Sequence, residues 1–321
     1  MSGSTSSTRT GSPARPASDP ASLEDAQSEA DLEAAEARQP VSAGEDTGRF
    51  GLGRRFLSES FDPLWVAGSV LVVLLWWAVG KVAPSATFPG PGSVARRIAQ
   101  DFFSAPELAF YGLSNVGLFN SMLYTSENVG IAMLIGAALG TVSGLLAARF
   151  RVIGAILEPI AMTAGTVPIL VAAPFFLIWF GVGRTSAVLL VTLYVTVILY
   201  VFAQRAADNL DPVYEDAART LGASEWRVVR DVLLPGTVPQ ILGGIRIALA
   251  GCWGLQAIAE LLGSQYGIGK IIEVLAGATD VQGIFTALLV LGVVAVACDT
   301  LAAFVIARIA AWSVAANPGG A

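Results

Sequence analysis

The chain has 321 residues, of which 54% are hydrophobic and only 14% charged, and its mean hydropathy of +0.65 is that of an integral membrane protein. The net charge of −6 is uneven: nine acidic residues against four arginines fall in residues 1–50, so the remainder is close to neutral and offers no nucleic-acid surface. The absence of histidine removes the commonest metal ligand and the usual neutral-pH proton carrier, which argues against enzymatic chemistry.

Residues 1–55 read as a disordered acidic tail, because Ser, Ala, Glu, Asp and Pro dominate and too few large apolar side chains are present to offset chain entropy. No basic start followed by an apolar run marks a signal peptide. A first span is expected over 64–80, opened by Pro63. It belongs to a segment 56–120 that continues as an amphiphilic connector, in which 94–103 has the periodicity of a membrane-surface helix. Residues 121–312 carry five further spans, and 313–321 form a short tail. The second span, 129–148, repeats glycine at 136, 140 and 144, a bare face for close helix packing. Pro159, Pro168 and Pro174 interrupt the third, 152–181. Proline in a span frees backbone carbonyls that need partners or a wet cavity. Pro168 and Pro174 are therefore pathway candidates, with a kinked packing helix as the other reading.

The fourth span, 185–202, leads to the longest polar interruption in the second half of the chain, residues 211–235. Asp211 and Pro212 suit a helix start, and Gly222 suits the left-handed residue that ends a helix. Ser224 caps a second helix with Glu225 at its positive end. Trp226, Val229 and Leu233 share a face, and Pro235 is expected to break the helix. The result is a helical hook suited to a protein partner. The fifth span, 237–262, sets Leu249, Trp253, Gln256 and Glu260 on one face. Polar groups in a span turn to the bundle interior or an aqueous route, so Trp253, Gln256 and Glu260 join the pathway candidates. Arg246 is expected to snorkel or pair, and Asp299 in the sixth span, 283–307, needs a hydrogen-bonding partner. Cys252 and Cys298 sit in apolar runs as small hydrophobes.

Basic residues flanking the spans favour one side. Arg54, Arg55, Arg149, Arg151, Arg205, Arg219, Arg227, Arg230 and Arg308 lie with the hook, and Lys81, Arg96, Arg97, Arg184 and Lys270 lie opposite. The hook and both termini are thus expected in the cytoplasm.

Asp216-Ala217-Ala218, Gly222 and Val232-x-Leu234-Pro235 resemble the EAA loop of membrane subunits of binding-protein-dependent ABC importers. Asp216 stands where Glu is usual, with Glu215 before it, and Val232 stands for Ile. Pro168, Pro174, Trp179-Phe180-Gly181-Val182-Gly183, Gly244-Ile245-Arg246, Trp253, Ala259-Glu260 and Gly267-Ile268-Gly269 are similar to the sulfonate/taurine/nitrate branch, and Asp299 and Trp312 extend the likeness. The resemblance implies an all-α polytopic membrane protein with six transmembrane helices and a cytoplasmic coupling loop, in a bacterial inner membrane. It implies a permease subunit that pairs with a second copy, two cytoplasmic ATP-binding-cassette ATPases and a periplasmic or lipid-anchored solute-binding protein. The ATPase-coupling residues are then Glu215, Asp216, Ala217, Ala218, Gly222, Ala223, Trp226 and Pro235. The chain has no Gly-x-x-x-x-Gly-Lys-Ser/Thr loop. It is therefore expected to bind no cofactor and to catalyse nothing, ATP with magnesium belonging to the partner ATPases. The branch implies a small anionic cargo of the sulfonate, nitrate or bicarbonate class, with thiamine-precursor pyrimidines or aromatic acids as the alternative. An ion-coupled secondary transporter or a membrane scaffold is the reading from another class.

Overall fold

The computed structural model describes residues 63–110, 113 and 117–309, so the acidic segment 1–55 and the tail 313–321 lie outside the described residues. By internal contacts the chain parts into Met1–Ala67, of which only 63–67 are described, and Gly68–Ala321. No strand occurs among the described residues. The helices are α1 (Pro63–Val82), α2 (Pro91–Asp101), α3 (Pro106–Phe110), α4 (Leu118–Arg149), α5 (Arg151–Thr166), α6 (Ala173–Phe180) and α7 (Arg184–Asp208). They continue as α8 (Pro212–Thr220), α9 (Glu225–Val228), α10 (Leu234–Gly263), α11 (Ile268–Gly277) and α12 (Val281–Ile309). A 3-10 turn, Ile169–Ala172, precedes α6, and a π turn, Val229–Leu233, joins α9 to α10.

Among the described residues, four segments are long and apolar enough to cross a membrane: 118–149, 184–208, 225–263 and 281–309. The expected single span over 152–181 is instead two pieces, α5 and residues 169–180, that meet at 97° and make a fifth span only if counted together. Pro168 explains the break: it brings no N–H, and it steers Val167 before it to an extended conformation, φ −76° and ψ 126°. Pro159, by contrast, sits inside α5 without ending it. The first expected span is an apolar helix of shorter reach over Val66–Val82.

The centre of the bundle is the parallel pair α4 and α7, with α10 running antiparallel across both. Gly136, Gly140 and Gly144 lie along the contact, as their four-residue spacing foretells. A Cβ added at Gly140 would come within 2.5 Å of the Thr196 carbonyl oxygen, and one at Gly136 within 2.6 Å of the Val195 Cβ. Backbone therefore meets backbone along this seam, where dispersion contacts replace the hydrophobic drive that lipid does not supply. Val129, Val191, Val195, Leu199 and Cys252 fill the surrounding core. Both cysteines are free.

Gly140→Val should lower the stability of the purified subunit by about 1–3 kcal/mol, the range for overpacking a tight contact. Gly130→Ala, where nothing lies within 4 Å of the added carbon, should leave the thermal midpoint unchanged or slightly raised. Equal midpoints for the two variants would count against a tight α4–α7 seam.

Candidate functional site

Apart from Ser224, which does not cap as expected, the hook is built as its sequence suggests, with two further corrections. The Asp211 carboxylate accepts a hydrogen bond from the Val213 N–H at 3.0 Å, and Pro212 takes the first helical position of α8. At the other end Gly222 has φ +82°. The Ala223 N–H then reaches the Ala218 carbonyl at 3.0 Å and the Gly222 N–H the Arg219 carbonyl at 2.9 Å, a Schellman closure. Ser224 occupies the cap position of α9 but makes no side-chain cap bond. Arg219 gathers the acidic residues: Glu215 at 2.7 Å, Asp216 at 3.1 Å and Glu225 at 3.8 Å. Glu225 also pairs with Arg149 at the end of α4, which ties the hook to the bundle.

The first correction concerns Pro235. No break occurs there, and the chain continues helically from Glu225 to Gly263. The π turn over 229–233, with the Leu234 N–H bonded to the Val229 carbonyl, widens the backbone just before the proline and absorbs its missing donor. The second concerns Trp226, which is 64% exposed while Val229 and Leu233 are buried against Leu145, Ala203 and Ile241. In the four-residue α9 only Val228 is buried, and apart from the Glu225 ion pair with Arg149 its side chains face outward. Val213, Tyr214, Leu221 and Trp226 are thus exposed apolar side chains on the hook, among exposed Asp216, Ala217 and Gly222 and half-buried Glu215, Ala218 and Ala223. Pro235 is exposed at the base.

At the opposite end of α10 lies a buried polar knot. Glu260 is fully buried, and its carboxylate accepts hydrogen bonds from Thr125 Oγ1 at 2.8 Å, Gln256 Nε2 at 2.9 Å, the Gly269 N–H at 3.2 Å and Asn128 Nδ2 at 3.3 Å. Thr125 Oγ1 in turn accepts from the Ile268 N–H at 3.0 Å. Arg184 Nε donates to Asn128 Oδ1 at 2.6 Å, and the same guanidinium reaches Glu127 at 3.2 Å. One carboxylate therefore joins α4, α10 and the start of α11. Gly269 permits it, since any side chain there would strike the Ala257 carbonyl and stand 2.7 Å from the Glu260 Cβ.

The pathway candidates fall in two places. Trp253, Gln256 and Glu260 are inside the bundle, with Trp253 Nε1 and Gln256 Oε1 buried and without a hydrogen-bond partner among the described residues. Pro168 and Pro174 are exposed on the broken segment, which meets α10 only through neighbours such as Ala173 against Ala259. Arg246 pairs with Asp299 rather than snorkelling, Nη2 to Oδ2 at 2.8 Å. The partners Thr125, Asn128 and Arg184 escaped the sequence reading. The pairing of Gly267-Ile268-Gly269 with Glu260 nine residues earlier was the available signal, but nothing local names the other strand of the knot.

Comparison with known proteins agrees with this architecture. Residues 136–312 match the family model of the binding-protein-dependent transport system inner membrane component. The taurine transport system permease protein of Escherichia coli (strain K12) is 28% identical over 64% of this chain and 74% of its own. The nitrate import permease protein of Synechococcus elongatus is 27% identical over 73% of this chain and 85% of its own. Among solved structures, a bacterial ABC transporter involved in the import of the acidic polysaccharide alginate matches with a TM-score of 0.52 at 16% identity, over 79% of this chain and 99% of that one.

Glu260→Ala should destabilise the subunit by roughly 2–5 kcal/mol, because it leaves several buried donors without an acceptor. Glu260→Gln should fall between, since its amide group faces donors while its carbonyl still accepts. A thermal midpoint for Glu260→Ala no lower than that of Gly130→Ala would show that the knot bears no weight.

Proposed function

The chain belongs to the binding-protein-dependent transport system inner membrane components and is the permease subunit of an ABC importer; on that premise we propose that it carries a small anionic solute and is driven through the hook at 211–235. The observation that carries this reading is the unbroken helical path from Glu225 to Gly263. A displacement of the hook passes into α10 with no intervening loop to absorb it.

The mechanism has three parts. Cytoplasmic ATPases bind and hydrolyse ATP with magnesium, and the permease itself catalyses nothing. Their groove takes α8 and the Gly222 turn, with Val213, Tyr214, Leu221 and Trp226 as apolar anchors and the acid–Arg219 cluster at the rim. Closure of the ATPases moves the hook as a rigid body, which the Schellman closure and the Glu225–Arg149 tie support. The helix from the hook to Gly263 then acts as a lever. The part called α10 alone has 30 residues and spans about 45 Å. Its far end is fastened through Glu260 to α4 and α11, so motion at the hook reaches the face that meets the solute-binding protein.

Six spans, with α1 and the broken α5–α6 segment each crossing once, give both termini and the hook a cytoplasmic position in a bacterial inner membrane. A second copy of the chain completes the pathway. The names of the taurine and nitrate relatives support a cargo that carries a sulfonate or nitrate oxyanion, and bicarbonate is the third member of the class proposed.

Two experiments test this. In a background without Cys252 and Cys298, Ser224→Cys should react with an impermeant thiol reagent only after the cells are opened, and Gln265→Cys in intact cells; the reverse pattern would place the hook outside. Gly222→Pro imposes φ near −65° where +82° is required, and should cut ATP-dependent uptake by about tenfold or more, since the dock is lost while the spans still insert. Normal uptake by that variant would remove the hook from the coupling route.

A further inference from the structure

Arg246 and Asp299 form a charged pair between two of the long apolar helices that neither the hook nor the Glu260 knot explains. Arg246 lies well inside α10, about 18 Å from Leu234 and about 26 Å from Gly263 at the rise of a helix. Asp299 lies about 15 Å from the Ile309 end of α12. Both helices are apolar enough to cross a membrane. Yet the two side chains remain 45% and 35% exposed while paired. A charge pair facing hydrocarbon at that depth is strongly disfavoured, so this part of α10 turns toward water or toward protein that encloses water.

The geometry of the pair leaves the guanidinium able to take a second partner. Asp299 accepts from Nε at 3.3 Å and from Nη2 at 2.8 Å, along one edge. The opposite fork, both N–H groups of Nη1 and the second of Nη2, has no acceptor among the described residues. Such a fork matches the oxygen array of a planar or tetrahedral oxyanion. The helix around it is bare: Gly243, Ala250 and Gly254 are exposed with Arg246, and no atom lies within 4 Å of a carbon added at Gly243 or Gly254. A small solute therefore has room to approach backbone on either side of the guanidinium, and Asp299 holds the side chain in place while its own charge keeps the anion from binding too tightly to leave.

We infer that Arg246 is the transient anion-binding residue of the translocation pathway, selecting a small oxyanion such as nitrate or a sulfonate, with Asp299 as its positioning residue. This rests on the anionic-cargo reading above.

The test uses the whole importer, permease with its ATPase and solute-binding protein, in vesicles, with labelled nitrate and labelled taurine as probes. The double variant Arg246→Gln, Asp299→Asn removes both charges, so a purely structural pair should be replaced with little loss. The inference expects uptake to fall about tenfold or more in that variant, and Asp299→Asn alone to lower both the half-saturating concentration and the maximal rate of uptake, because the fork remains while the charge that lets the anion leave is gone. Arg246→Lys, with charge but no fork, should raise the half-saturating concentration. Wild-type uptake by the double variant, or an assembled Asp299→Asn importer whose half-saturating concentration and maximal rate both equal the wild-type values, would overturn the inference and leave the cargo reading standing. Should the double variant not assemble, the Asp299→Asn result decides alone. If the wild-type importer takes up neither probe, the cargo reading fails and this inference falls with it.

Discussion

Inside a bilayer no water waits to satisfy a polar group, and that constraint shapes every unusual feature of this bundle. Backbone groups are bound within helices, so helices alone cross. Side chains must find partners on neighbouring helices. Glu260 does so completely: hydroxyl, amide and backbone donors from α4, α10 and α11 close around its carboxylate. Its burial would otherwise be among the most unfavourable features in the protein. Because the donors come from three helices, the same bonds fix how those helices sit. Arg246 and Asp299 meet the constraint in the other way, by pairing with each other while remaining partly open.

Close helix approach is the second consequence. Lipid tails are as apolar as the core, so helices gain little by simply hiding apolar surface from them. The glycine seam of α4 answers this by letting carbonyl oxygens of α7 come near backbone. That seam makes α4 and α7 one body, against which α10 runs. The hook is fastened to the same body through Glu225 and Arg149 and continuous with α10 through the π turn. In the proposed mechanism this gives force from an ATPase two routes, one into the fixed pair and one into the lever, and the difference between them opens or closes the pathway.

The broken segment between α5 and α6 belongs to the same logic. Pro168 and the bend after it release backbone groups from regular bonding at a place where Ala172, Ala173 and Ile169 still touch the core. Irregular backbone at this depth persists where protein or water covers it.

Much of this was determined by the residues in order. The hook's start at Asp211, its turn at Gly222, the glycine face at 136, 140 and 144, and the apolar runs over 129–148, 185–202 and 283–307, which the structure extends at their ends, follow from local sterics and from periodicity, which act over a few residues and need no distant partner. The tertiary structure alone decided what lies across space. It set Thr125 and Asn128 beside Glu260, joined Arg246 to Asp299, buried Gln256 rather than opening it, and carried the helix through Pro235. Each depends on which faces meet, and a carboxylate's partners more than a hundred residues away leave no mark in its own neighbourhood. The break at Pro168 shows the boundary between the two: the proline marks the spot, but the angle of 97° is set by what the two pieces pack against.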